Sequence, residues 1–209
     1  MLQGITGSAV HTNDGNTVNA RMGRDNDLIV SQLHRSGFEN ASRGLSFGSS
    51  ITGQITTVGV ATTYTGLCLS NPITSNVKIV LKQVGLAFLV AFAAASTVGI
   101  MTGFNGSTNV THTTPAVVRN KLVNAAVNTT GTGLVDSAST LPTAPVLDTV
   151  LFAGLTGAIT LAQADPAGLY DLLDGIVLMP GGYAAVYTST VSGAASMSAS
   201  FVWDEISLP

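Results

Sequence analysis

The chain has 209 residues and a mass of 21.2 kDa, so its average side chain is small. Charged residues make up 9% of it, against roughly 25% in an ordinary soluble domain. Gly (23 residues) and Ser plus Thr (45 residues) replace the missing charge while the apolar share stays at 45%, which excludes a disordered polyelectrolyte and a coiled coil or long-helix protein.

Residues 1–45 differ from the rest of the chain. They hold Arg21, Arg24, Arg35 and Arg43, half of all the Lys and Arg, and little aliphatic bulk. Only Asp27–His34 has the makings of a strand or a helical turn or two, too little apolar area to order by itself. The segment reads as an extended N-terminal arm, with the folded domain spanning 46–209. Residues 1–20 show neither the basic start nor the apolar core of roughly 7–15 residues that marks a secretory signal.

From Ser46 onward, short apolar runs alternate with turn residues. Ile55–Tyr64 is rich in β-branched residues and predicts a strand. Leu67–Leu69 predicts another, closed by the Ser70-Asn71-Pro72 turn signal. Asn76–Val90 is a long strand candidate with partial alternation. Thr97–Phe104 comes next, closed by Asn105-Gly106. The uncharged stretch Val84–Met101 approaches the length of a membrane span, but it carries internal Gly, Ser and Thr and lacks flanking aromatic belts. Two buried strands joined at the Ala93–Ser96 bend are expected instead. The region Ser107–Pro145 is rich in Thr and Asn, with an apolar island from Ala116 to Val127 that reads as helical. Val146–Phe152 predicts a strand, and Asp165-Pro166 a short helix start.

The last third is the clearest. Gly175–Met179 is a short apolar strand. Pro180-Gly181-Gly182 is a turn whose glycines supply positive φ. Tyr183–Thr190 places Tyr183, Ala185 and Tyr187 on one face. Ser196–Glu205 alternates, with Met197, Ala199, Phe201 and Trp203 facing one way and serines the other, the period-two mark of a half-buried strand. Seven or eight strands separated by turns predict an all-β antiparallel sandwich or barrel.

No catalytic motif survives inspection, and no enzyme, cofactor or metal site is expected. Gly44–Gly48 matches the spacing of a hydrolase elbow, but Ser46 lacks the strand before it, the helix after it and an acid before the later His112. His11, His34 and His112 are scattered without metal-ligand spacing. Asp165, Asp171 and Asp174, with Asp204-Glu205, form the densest acidic group, read as facing solvent or a basic partner. The single cysteine, Cys68, sits in an apolar run and reads as a small buried hydrophobe. The net charge of −3 argues against a nucleic-acid partner. It is unevenly spread, however: residues 44–135 carry Lys78, Lys82, Arg119 and Lys121 and no acid, while residues 136–209 carry seven acids and no base. The two signs could meet within the fold or across a subunit contact.

The C-terminal run, from the apolar strand through Pro180-Gly181-Gly182 and Tyr183–Thr190 to Phe201-Val202-Trp203-Asp204-Glu205-Ile206, resembles small jelly-roll virion proteins of tailed bacteriophages, the capsid cement or decoration proteins and related attachments. The opening, Ile5-Thr6-Gly7 and then Met22-Gly23-Arg24 leading to Asp27–His34, resembles them as well; residues 105–160 do not align. The resemblance implies a jelly roll on the outer surface of an icosahedral phage capsid, a homotrimer that contacts the major capsid protein and stabilises the shell. Arg21, Arg24, Arg35 and Arg43 are then the candidate capsid contacts, with no membrane or nucleic-acid partner. A tail or head-fibre attachment protein of the same fold is the alternative, and after it a carbohydrate-binding sandwich using Trp203 or Tyr187.

Overall fold

The computed structural model describes residues 37–54, 56–88, 92, 94–123, 131–154, 168–190 and 197–208. The first 36 positions of the expected arm therefore lie outside the described residues, as does the Asp165-Pro166 helix start. Every strand among the described residues belongs to the unit Glu39–Pro209.

A five-residue helix, α1 (Phe38–Ser42), precedes eleven strands: β1 (Ser46–Gln54), β2 (Thr63–Ser70), β3 (Val77–Phe88), β4 (Ser96–Phe104), β5 (Thr111–His112), β6 (Arg119–Asn120), β7 (Leu134–Thr140), β8 (Val146–Gly154), β9 (Gly168–Leu178), β10 (Gly182–Thr188) and β11 (Met197–Ser207). They form two antiparallel sheets, one ordered β6-β1-β11-β3-β9 and the other β5-β7-β2-β10-β4-β8. The domain is an all-β antiparallel sandwich. Successive long strands alternate between the sheets, β1 and β3 in one and β2 and β4 in the other, so most pairing is between strands distant in sequence.

β11 is the spine of the first sheet, hydrogen-bonded to β1 on one side and β3 on the other. Its alternation is realised: Met197, Ala199, Phe201 and Trp203 are buried while Ser198 and Ser200 are half-buried on the opposite face. Leu67, Leu69, Ile100 and Val186 meet them from the second sheet. Such aligned packing of two inner faces makes a core about 10 Å thick. A smaller cluster lies on the outer face of the second sheet, where Tyr64, Cys68, Met101, Val110, Leu141, Tyr183 and Ala185 pack together. Tyr183 and Ala185 share it with Tyr187, as the alternation of β10 requires.

Three expectations are corrected. Residues 56–62 are not a strand; Gly59 takes φ +70° and Val58 and Val60 are exposed. The preceding Ser46–Gln54, poor in β-formers, is the strand, because it fills the place between β6 and β11. Pairing overrides intrinsic preference here. The island Ala116–Val127 contributes β6 rather than a helix among its described residues. The strand expected at 175–179 begins at Gly168, so Asp171 and Asp174 lie on β9. β7 was not foreshadowed by any alternation. The candidate span Val84–Met101 is divided between β3 and β4 in opposite sheets, and no described helix is long and apolar enough to cross a membrane.

The Pro180-Gly181 turn joins β9 to β10. Gly182 N–H donates to the Met179 carbonyl at 2.7 Å, and Gly181 alone has φ +89°, the type II pattern with Pro then Gly at the centre. A Cβ on Gly181 would run into the Asn105 carbonyl oxygen. Gly181→Ala is therefore expected to destabilise the domain by about 2 kcal/mol or more, the left-handed penalty plus that clash, read as a lowered urea midpoint at unchanged slope.

Candidate functional site

The two sheets end together at both sides of the sandwich, and among the described residues no further strand or helix closes either end. At one end lie β8 and β9, nine and eleven residues long. Long edge strands present unpaired N–H and C=O groups and are ordinarily blunted. Here they carry exposed apolar side chains, Val146, Val150, Leu169, Leu173 and Val177, with exposed Phe104 at the end of β4 and Met179 just after β9 beside them. Two clefts of about 510 and 490 Å³ run between β8 and β9, sharing Asp148, Gly175 and Ile176 in their walls. Asp148, Asp171 and Asp174 are all exposed at this end.

β9 departs from regular pairing in the middle. Asp171 lies opposite Gln83 and Ile176 opposite Leu81, so residues 172–175 face Lys82 alone and bulge outward. Leu173 and Asp174 take φ of 51° and 56°, a conformation that costs a non-glycine residue roughly 1–2 kcal/mol. Asp171 Oδ1 accepts the Leu173 N–H at 2.9 Å, which helps hold the bend. The result is a leucine 85% exposed at the tip of a strained bulge.

The opposite end is formed by β5, β6 and β7. A groove of about 470 Å³ is lined by His112, Pro115–Arg119, Gly131 and Gly133–Val135. Val117 is 63% exposed on its lip, with Leu122, Val123 and Leu134 exposed nearby. The charges are now positive: Arg119 and Lys121 are exposed and make no ion pair among the described residues.

Two buried polar clusters build this groove. Glu205, nearly buried, accepts N–H groups from Thr132 at 2.7 Å and Gly133 at 2.8 Å, and the Trp203 indole N–H at 3.1 Å. It thereby pins the wall of the groove to the core. On the other wall, Asp136 Oδ2 lies 2.6 Å from His112 Nδ1, and His112 Nε2 lies 3.3 Å from Ser70 Oγ. Burial pushes the Asp136 carboxyl up, opposed by the charge and hydrogen bond of His112. Ser70, His112 and Asp136 have the connectivity of a hydrolase triad, an arrangement that sequence spacing did not suggest. Ser70, however, is only 3% exposed and Asp136 fully buried, and Ser70 does not line the groove. A substrate carbonyl has no approach to its Oγ, so the cluster fastens β5 to the sheet. Beside it, Cys68 is buried and its thiol is pushed up to about 12 by burial, with Ser139 opposing and Asp136 adding.

The other sequence candidates fall as follows. Arg21, Arg24, Arg35, His11 and His34 lie outside the described residues. Arg43 is exposed just after α1, 3.6 Å from an equally exposed Glu39. Ser46 donates its hydroxyl to Asp204. Asp204 and Glu205, expected to face solvent or a partner, are instead buried, because β11 is central in its sheet. Asp204 accepts from Asn40 Nδ2 at 2.7 Å and pairs with Lys82 Nζ at 3.1 Å. Here the positive and negative segments do meet inside the fold. Trp203 is fully buried and offers no face for stacking on a sugar. Ala94 and Ala95 of the Ala-rich bend are exposed. Among the described residues, no group of three or more His, Cys, Asp or Glu is placed to hold a metal ion. The β9 bulge had one sequence sign, the turn-forming pair Asp174-Gly175.

No family model, no curated protein and no solved structure matches the chain.

Proposed function

We propose that this chain is a structural virion protein that binds the outer surface of an icosahedral phage capsid as a homo-oligomer and stabilises the shell. The observation that carries the reading is the pair of sheet ends with exposed apolar side chains among the described residues. Contiguous exposed apolar area on a rigid domain marks a surface built for contact. The strand order supports a jelly-roll reading: with the short strands and β7 set aside, β1-β11-β3-β9 faces β2-β10-β4-β8, the order that two wound Greek keys produce. Surfaces of Ser, Thr and Gly lose little side-chain entropy on contact, and many shallow contacts per shell can replace one strong one.

The arm is the proposed attachment. Full-length protein mixed with isolated shells should bind saturably, in hundreds of copies per shell, and raise the temperature at which the shell ruptures. Replacing Arg21, Arg24, Arg35 and Arg43 together by Gln should leave the sandwich folded and cut shell binding at least tenfold. Binding of a few to tens of copies would move the protein to a tail or fibre attachment. Absence of binding to any shell would end the reading.

A further inference from the structure

We infer that copies of this chain associate head to tail, with the Leu173 bulge of one copy seated in the groove between β6 and β7 of the next. The inference rests on the homo-oligomer in the function proposed above and names its surfaces.

Three features lead there. First, the two apolar ends differ in shape: one projects a leucine on a bulge, the other is hollowed to about 470 Å³. Second, they differ in charge. Asp148 and Asp171 line the cleft with Leu173 and Asp174 follows it on the bulge, while Arg119 lines the hollow and exposed Lys121 lies over Gly48 of the adjoining β1. Pairing the β8–β9 end with itself would bring two sets of three carboxylates together, and like charges facing each other across an interface oppose association. Pairing it with the opposite end sets acids against bases. Third, the ends lie on opposite sides of both sheets, β9 and β8 at one and β6 and β5 at the other. A contact between unlike surfaces repeats, and it closes into a ring when the rotation permits. The strain at Leu173 and Asp174 fits such a role, since backbone held in a sparse region persists where the surrounding structure imposes it and concentrates at binding elements.

The test uses complementary variants of the full chain in sedimentation equilibrium. Leu173→Asp removes the projection and leaves the groove; Val117→Asp spoils the groove and leaves the projection. The wild type should sediment as a closed oligomer of fixed size. Each variant alone should be monomeric, with the self-association constant weakened at least 30-fold. The two mixed should form a one-to-one heterodimer that grows no further, since only one good contact can form. Leu173→Gly, which suits the positive φ, guards against a folding artefact: it should weaken association as Leu173→Asp does, with the thermal midpoint of the monomer unchanged or raised. If the wild type assembles and all three variants assemble equally well, this inference falls and the homo-oligomer stands. If Leu173→Asp and Val117→Asp do not complement each other, the head-to-tail geometry falls. If the wild type is monomeric at every concentration, both this inference and the homo-oligomer fall.

Discussion

Replacing Trp203 with alanine is expected to lower the free energy of unfolding by about 3–5 kcal/mol, the range for emptying a large buried aromatic site. Trp203 is fully buried at the centre of β11 and stacks on Phe47 with centroids 6.2 Å apart. Its indole N–H also donates to Glu205 Oε1, so the substitution removes packing and one of the three donors that hold a buried carboxylate. Trp203→Phe separates the two effects: it keeps most of the volume and loses the donor, for an expected cost of about 1–2 kcal/mol. For a chain of this length the alanine variant should melt roughly 10 °C or more below the wild type. The chain has a single tryptophan, so the transition must be followed by circular dichroism. A drop of only a degree or two would show that Trp203 is not at the centre of the core.

Asp204→Ala is expected to cost about 3–5 kcal/mol, as when one partner of a buried ion pair is removed. The carboxylate accepts from Ser46 and Asn40 and faces Lys82, whose side chain is 17% exposed. Its loss leaves a lysine with little water and unties α1 and the start of β1 from β11. Lys82 can extend its stem toward solvent, which places the cost toward the lower end. Replacing both charges, with Lys82→Met and Asp204→Leu, should recover much of the loss, because the pair's attraction offsets little more than its desolvation. Urea titration of Lys82→Met, Asp204→Leu and the double variant closes the cycle. A double variant as unstable as Asp204→Ala would mean that the bonds to Ser46 and Asn40, rather than the charge, dominate.

The fold class was legible where period two is clean. In β11, four large or apolar residues alternate with serines, and that run became the spine of a sheet. Composition and turn spacing carried the rest of the class. Strand identity failed where neighbours decide. β1 contains Ser and Gly and forms because β6 and β11 supply its hydrogen bonds; the β-branched run 56–62 joins no strand ladder and makes scattered bonds instead, Thr57 N–H to the Thr65 carbonyl and Gly59 N–H to the Thr188 carbonyl. Which strand pairs with which depends on contacts far apart in sequence, and no local pattern encodes them. The site was half legible. The separation of bases in 44–135 from acids in 136–209 was visible, but two of the acids, Asp204 and Glu205, are buried in the fold, and only Asp148, Asp171 and Asp174 reach the β8–β9 end among the described residues. The Ser70–His112–Asp136 cluster joins three strands and has no sequence spacing of its own.

Cryo-electron microscopy of the assembled protein would show whether the two ends of the sandwich are the contact surfaces proposed above. The expected map shows the β8–β9 end of each copy covered by the β5–β6 end of its neighbour, with Leu173 out of solvent. A map in which both ends face water while the copies meet elsewhere would contradict that proposal.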